Sequence, residues 1–254
     1  MSKILPVAAI LLLGLSTSPI VASEPPAAPW ERVECTPGGG RQSHDFADSS
    51  RPGLHVHVDL LCASEDAGVA TVLPTDCSSS AYVKSGYRWT GTYSFLMDAS
   101  KSGLSASGAL AAFSTSAATW DQETNASLFS GGALGGSAGR AGRSDGVNQI
   151  GWKSLAVRTI AQTTTWYLTA THVAVESDGA YNVRYAWSLS GEANRMDLQN
   201  IATHEIGHTY GLSHPSDVAA NSCLTMYPTA DYGETQKRTL GDGDILGIRS
   251  VYGN

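Results

Sequence analysis

Two hydrophobic rhythms run along the chain. Ala106, Leu110, Phe113, Ala117 and Trp120 recur at steps of four and three, which places them on one stripe of an α-helix. A second helix is predicted over 197–210. Asp197 suits its N-cap, Leu198, Ile201, Ala202 and Ile206 share a face, and no proline interrupts it. A third closes the chain over 241–252, led by Asp242 or Asp244, with Ile245, Ile248 and Val251 turned inward. Segments rich in β-branched and aromatic residues read as strands: 87–97, 148–152, 155–161, 171–176 and 181–187. Residues 54–60, Leu-His-Val-His-Val-Asp-Leu, alternate as a half-buried strand. His55 and His57 share its polar face, read here as solvated because no third metal ligand stands near them in sequence. Residues 127–147 are rich in Gly and Ser and are predicted as a long surface loop. There is no internal repeat.

The second helix carries chemistry. Residues 204–214 read His-Glu-Ile-Gly-His-Thr-Tyr-Gly-Leu-Ser-His. Positions i and i+4 lie nearly above one another on a helix, so His204 and His208 can aim at one point. Glu205 is turned about 100° from His204 and reaches the rim of such a site without being a ligand. Gly211 is the expected helix stop, after which the chain turns back and His214 can complete the set. Three imidazoles close one side of a tetrahedral zinc and leave a fourth position open. Zinc so held activates water and polarises a carbonyl, which points to peptide-bond hydrolysis. Random order would produce the motif in roughly two of 100,000 such chains, so separate packed histidines are the weaker reading.

The remaining composition sets the context. Lys3 precedes an apolar run from Ile4 to Leu15, and Val21-Ala22-Ser23 offers small residues for cleavage before Glu24. Residues 1–23 therefore read as a secretory signal, too short to span a bilayer comfortably. No later segment is apolar for long enough to cross a membrane, so none is expected once the signal is removed. The 254 residues carry a formal charge of −7, which argues against nucleic acid as a partner. Cys35, Cys62, Cys77 and Cys223 suggest two disulfides, with three pairings open. Residues 24–80 are Pro-, Gly- and Ser-punctuated and read as an N-terminal extension, a propeptide or an accessory segment, before a domain at 81–254.

With these residues placed, the chain resembles the metzincin zinc endopeptidases, and within them the matrixin-type secreted proteases of the microbial kind. The motif at 204–214 carries the likeness. So do Cys223-Leu224-Thr225-Met226-Tyr227-Pro228, which looks like the family's Met-turn, and the tail Gly233-Glu234-Thr235, Arg238-Thr239-Leu240, Asp244-Ile245 and Gly247-Ile248. The resemblance implies an α+β, metzincin-like (zincin) fold. A twisted, mostly parallel sheet would be backed by two long helices, with an irregular C-terminal subdomain holding the Met-turn and the final helix. Substrate, a protein or peptide, would bind extended and add a strand to the sheet edge. By the same resemblance His204, His208 and His214 hold one catalytic Zn2+, Glu205 is the general base for a zinc-activated water, and Met226 lies beneath the metal. Tyr227, Pro228 and Tyr232 would wall the pocket for the side chain after the scissile bond. A secreted, extracellular monomer is expected.

This chain departs from the family in two places. Cys35 lies in Glu34-Cys35-Thr36-Pro37-Gly38, unlike the family's Pro-Arg-Cys-Gly, so a cysteine cap on the zinc is not expected. The preferred pairings are Cys77 with Cys223 and Cys35 with Cys62. The structural-zinc loop is also missing. Asp145-Gly146 and Asp178-Gly179 are poor substitutes, and Ca2+ is possible without an assigned site. The alternative function is a secreted binding or surface module with a structural, non-catalytic zinc. The intact Glu205 and a three-residue ligand set count against it.

Overall fold

The computed structural model describes residues 28–36, 42–64 and 77–254, so the predicted signal at 1–23 lies outside the described residues. In chain order the elements are β1 (Ser43–Ala47), β2 (Leu54–Ala63), β3 (Val83–Lys84), β4 (Tyr93–Asp98), α1 (Ala106–Asp121), β5 (Phe129–Leu134), β6 (Gln149–Lys153), β7 (Thr159–Leu168) and β8 (Ala174–Asn182). Then follow β9 (Trp187–Ser188), β10 (Met196–Asp197), α2 (Leu198–Thr209), β11 (Leu212–Ser213), β12 (Thr229–Ala230) and α3 (Asp242–Tyr252).

The main sheet has eight strands, in the order β1-β2-β7-β8-β6-β4-β5, with β12 paired to β2. The pairings β5/β4, β4/β6, β6/β8 and β12/β2 are parallel, and β8/β7, β7/β2 and β2/β1 are antiparallel. The sheet is thus mixed and mostly parallel. The stripe of α1 meets it through Phe113, whose ring lies 5.7 Å from Phe95 on β4 and 5.1 Å from Tyr181 on β8. Trp120 then joins the two long helices, its Nε1 donating to Thr203 O of α2 at 2.7 Å. Ala106 of the predicted stripe is exposed, in the first turn.

Several predicted elements moved. The segment 87–97 is strand only from Tyr93 onward; Arg88 makes an isolated bridge to Val173. The loop at 127–147 contains β5, whose glycines conceal a strand held by main-chain pairing to β4. The strand predicted at 155–161 begins at Thr159 and runs on to Leu168. It is buried on both faces, so Thr163, Thr164 and Thr165 show no alternation. The strand at 171–176 begins at Ala174 and continues to Asn182, and Trp187 belongs to a separate short strand, β9.

The largest addition comes from the N-terminal extension. Its ten-residue β2 is almost wholly buried. Leu54, Val56, Val58, Leu60 and Cys62 on one face form a core with Trp30, Cys35 and Trp166. Leu61 and Ala63 on the other join the main core with Ile160 and Ala161. His57 is therefore not solvated. It is buried, with Nδ1 2.8 Å from Asp45 Oδ1 and Nε2 3.1 Å from Asp59 Oδ2. The cysteines pair as Cys35–Cys62 and Cys77–Cys223. Among the described residues no helix is long and apolar enough to cross a membrane.

Candidate metal centre

The metal helix begins where its sequence says it should. Asp197 caps α2, accepting from Asn200 N at 3.0 Å, and Arg238 holds the same carboxylate from the tail at 2.8 and 2.5 Å. At the other end Gly211 has φ +91°, and a Cβ there would lie 2.4 Å from Tyr87 O. Only glycine tolerates both demands, and they turn the chain so that His214 meets the helix. The three Nε2 atoms of His204, His208 and His214 stand 2.9, 3.0 and 3.1 Å apart. Among the described residues this is the one group of three or more His, Cys, Asp or Glu side chains that converges closely enough to hold a metal.

Hydrogen bonding on the outer nitrogens tests whether a metal fits. His204 Nδ1 lies 2.6 Å from Thr225 O and His208 Nδ1 2.8 Å from Leu212 O. Carbonyl oxygens only accept, so both protons sit on Nδ1 and both Nε2 atoms present lone pairs. Two lone pairs 2.9 Å apart repel unless a cation lies between them, and a third imidazole joins them. The donor set suits zinc. Burial, aided by the neighbouring imidazoles, lowers the pKa of His204, and burial likewise lowers that of His208 and takes His214 down to about 3. All three are neutral at neutral pH, the form that binds metal.

Beside the triad, Glu205 is buried. Its Oε2 accepts from Thr163 Oγ1 of β7 at 2.6 Å, while Oε1 has no partner. Burial raises its pKa to about 8 against the opposing Thr163 hydrogen bond. Beneath α2, Met226 packs its sulfur against Gly207: a Cβ on that glycine would come within 2.3 Å of it. Asp244 fixes this turn, accepting from Thr225 N, Met226 N and Gly241 N at 2.7, 3.1 and 2.8 Å. One carboxylate thus caps α3 and holds the turn whose carbonyl orients His204.

The Matrixin family model matches residues 88–253. The chain belongs to the matrixin family. It is 37% identical to Metalloendoproteinase 1 of Glycine max over 90 residues, which is 32% of this chain and 28% of that protein. It is 46% identical to Matrilysin of Homo sapiens over 76 residues, 30% of this chain and 27% of that protein. Neutrophil collagenase of Homo sapiens is 33% identical over 79 residues, 31% of this chain and 16% of that protein. The chain therefore spans little more than a quarter of the length of the first two relatives and less of the third.

In this matrixin β2 of the N-terminal extension covers the β7 side of the sheet. β2 runs antiparallel to β7 from Leu54↔Leu168 to Cys62↔Thr159, and parallel to β12 through Cys62↔Thr229 and Ala63↔Ala230. Cys62 N donates to Pro228 O at 3.2 Å and Ser64 N to Ala230 O at 3.3 Å. Solvent approaches the triad from the His214 side, at a cavity of about 380 Å³ that His214 lines with Ser43, His57, Lys84, Asp217 and Pro228. Of the proposed wall residues, Pro228 reaches this cavity, and Tyr227 donates to its rim at Asp217, 2.5 Å away. Tyr232 stands 36% exposed against Tyr185 instead. Two buried acidic groups of β8 are committed elsewhere: Asp178 accepts from Gly142 N and Gln149 N, and Glu176 from Asp145 N, Gly146 N and Arg51. The motif signalled neither Thr163 nor Asp59. For Asp59 a faint sign existed, since Leu60-Leu61-Cys62-Ala63 breaks the alternation and marks a strand buried on both faces.

Proposed function

We propose that this matrixin is a secreted zinc-dependent endopeptidase with His204, His208 and His214 as metal ligands and Glu205 as general base. The observation that carries the reading is the pair of Nδ1-protonated imidazoles whose Nε2 lone pairs meet 2.9 Å apart, next to a buried carboxylate with one free oxygen. Zinc held by these three imidazoles would supply Lewis acidity, activating water and polarising the scissile carbonyl. Glu205 takes the proton from the attacking water and passes one to the leaving amine. Met226 floors the site, and Pro228 and Tyr227, with Tyr232 further out, shape the side-chain pocket. A structural zinc would leave Glu205 Oε1 without a task.

Residues 24–80 then serve as a propeptide. Supporting this, β2 uses both main-chain rails, β7 and β12, that an extended peptide would need. Secretion is supported by the composition of residues 1–23 and by the disulfides, which persist in oxidising compartments. The test is casein hydrolysis by the secreted protein with and without chelator, together with N-terminal sequencing of the active form. Zinc-restorable activity beginning after β2 supports the reading. Activity indifferent to chelation removes it.

A further inference from the structure

Asp59 faces α2 from β2 and is fully buried. Its Oδ1 accepts from Ser43 Oγ at 2.5 Å and Ser213 Oγ at 3.3 Å. Its Oδ2 has no hydrogen bond; it lies 3.3 Å from His208 Nδ1 and 3.1 Å from His57 Nε2. A buried carboxylate is costly unless opposite charge compensates it. The register places Asp59 opposite Thr163 on β7, and Thr163 is the residue that donates to Glu205. Two cross-strand neighbours thus address two residues of α2 that lie one turn apart, the general base and a ligand.

We infer that in the unprocessed chain Asp59 is a positioning residue for the ligand His208, supplied to the metal centre by the N-terminal strand and lost when that strand is removed. The inference rests on the zinc reading of the triad. Nδ1–H of His208 donates to Leu212 O; the carboxylate beside that proton favours the same tautomer and stabilises the positive charge the ring acquires when Nε2 binds a cation. Asp59 lies outside the matrixin-matched residues 88–253, so the centre borrows this group from the extension. Coupling is reciprocal: what Asp59 adds to zinc binding, zinc adds to the docking of β2.

The experiment uses the full chain, stripped of metal and titrated with zinc against a chromogenic chelator, and with cobalt(II) for its visible spectrum. Asp59→Asn keeps shape and the Ser43 hydrogen bond while removing the charge. Zinc binding about 10–100-fold weaker and a shifted cobalt spectrum support the inference. Wild-type affinity and spectrum in that variant overturn it. A wild-type chain that takes no zinc sinks the metal-centre reading instead. Should Asp59→Asn not fold, His57→Gln decides: it leaves Asp59 to His208 alone, so tighter zinc binding supports the inference and unchanged or weaker binding overturns it.

Discussion

Helix α2 and strand β2 meet at His208, yet they reach it by different routes. In α2 the three histidines are brought together by local geometry: one turn aligns His204 with His208, and Gly211 returns His214. In β2 nothing local points to the metal. Asp59 arrives because a ten-residue strand is buried on both faces and joins β7 in one particular register. A site can therefore rest half on spacing within one segment and half on tertiary pairing.

The sharpest way to break this comparison is through activity. If α2 carries the chemistry, Glu205→Gln lowers peptide hydrolysis by ~10²–10⁴-fold while zinc content, measured by metal analysis, stays that of the wild type. Full activity in that variant would remove α2 from the reaction and leave its motif merely structural.

Next in size is the support under β2. Trp166 is fully buried, edge-on to Trp30 with ring centroids 6.2 Å apart. Trp166→Ala should cost about 3–5 kcal/mol, the range for emptying a large core site. Hydrogen exchange is the informative readout. Amides of β2 should lose protection while those of α2 keep theirs. Equal loss in both would make the two regions one cooperative unit.

On the α2 side the matching test is Gly207→Ala. The added carbon would sit 2.3 Å from Met226 Sδ and 2.7 Å from Trp120 Cζ2, so the helix must shift off its floor. Overpacking of this kind costs about 1–3 kcal/mol, visible as a lower melting temperature. Unchanged melting would show that Met226 yields and the floor is soft.

The same contrast explains what the sequence disclosed. Caps, spacing and the glycine stop are chemical necessities of a helix, so α2 was legible from Asp197 to Gly211 and the triad with it. The stripe of α1 was legible for the same reason. Strands 155–161 and 171–176 were misplaced because β7 and β8 are buried on both faces, which erases the alternation that marks a strand. β5 disappeared into its glycines. Asp59, Thr163 and Asp244 acquire their roles only from neighbours distant in the chain, and no spacing within a segment encodes them. The polar face of β2 was misread for one physical reason: His55 and His57 look solvated as an alternating pair, but β1 and Tyr87 cover His57.

The smallest effect expected concerns that covered histidine. Burial alone would lower the pKa of His57, but Asp59 and the Asp45 hydrogen bond outweigh it and raise the value from 6.5 to about 10. A histidine whose pKa is raised on folding adds stability that is fully present below the unfolded value, 6.5, and fades as pH climbs through about 10. Asp45 is the outer partner, with its side chain 43% exposed, so solvent screens its share to less than about 1 kcal/mol. Asp45→Asn should therefore lower the denaturant midpoint at pH about 6 and converge with the wild type once His57 is neutral in both states, above the folded pKa. A gap that widened with pH would mean that His57 is neutral in the folded protein. Asp59 would then face His208 with no competing cation on its other side, and β2 would be tied to the metal centre more closely than its strand pairing alone requires.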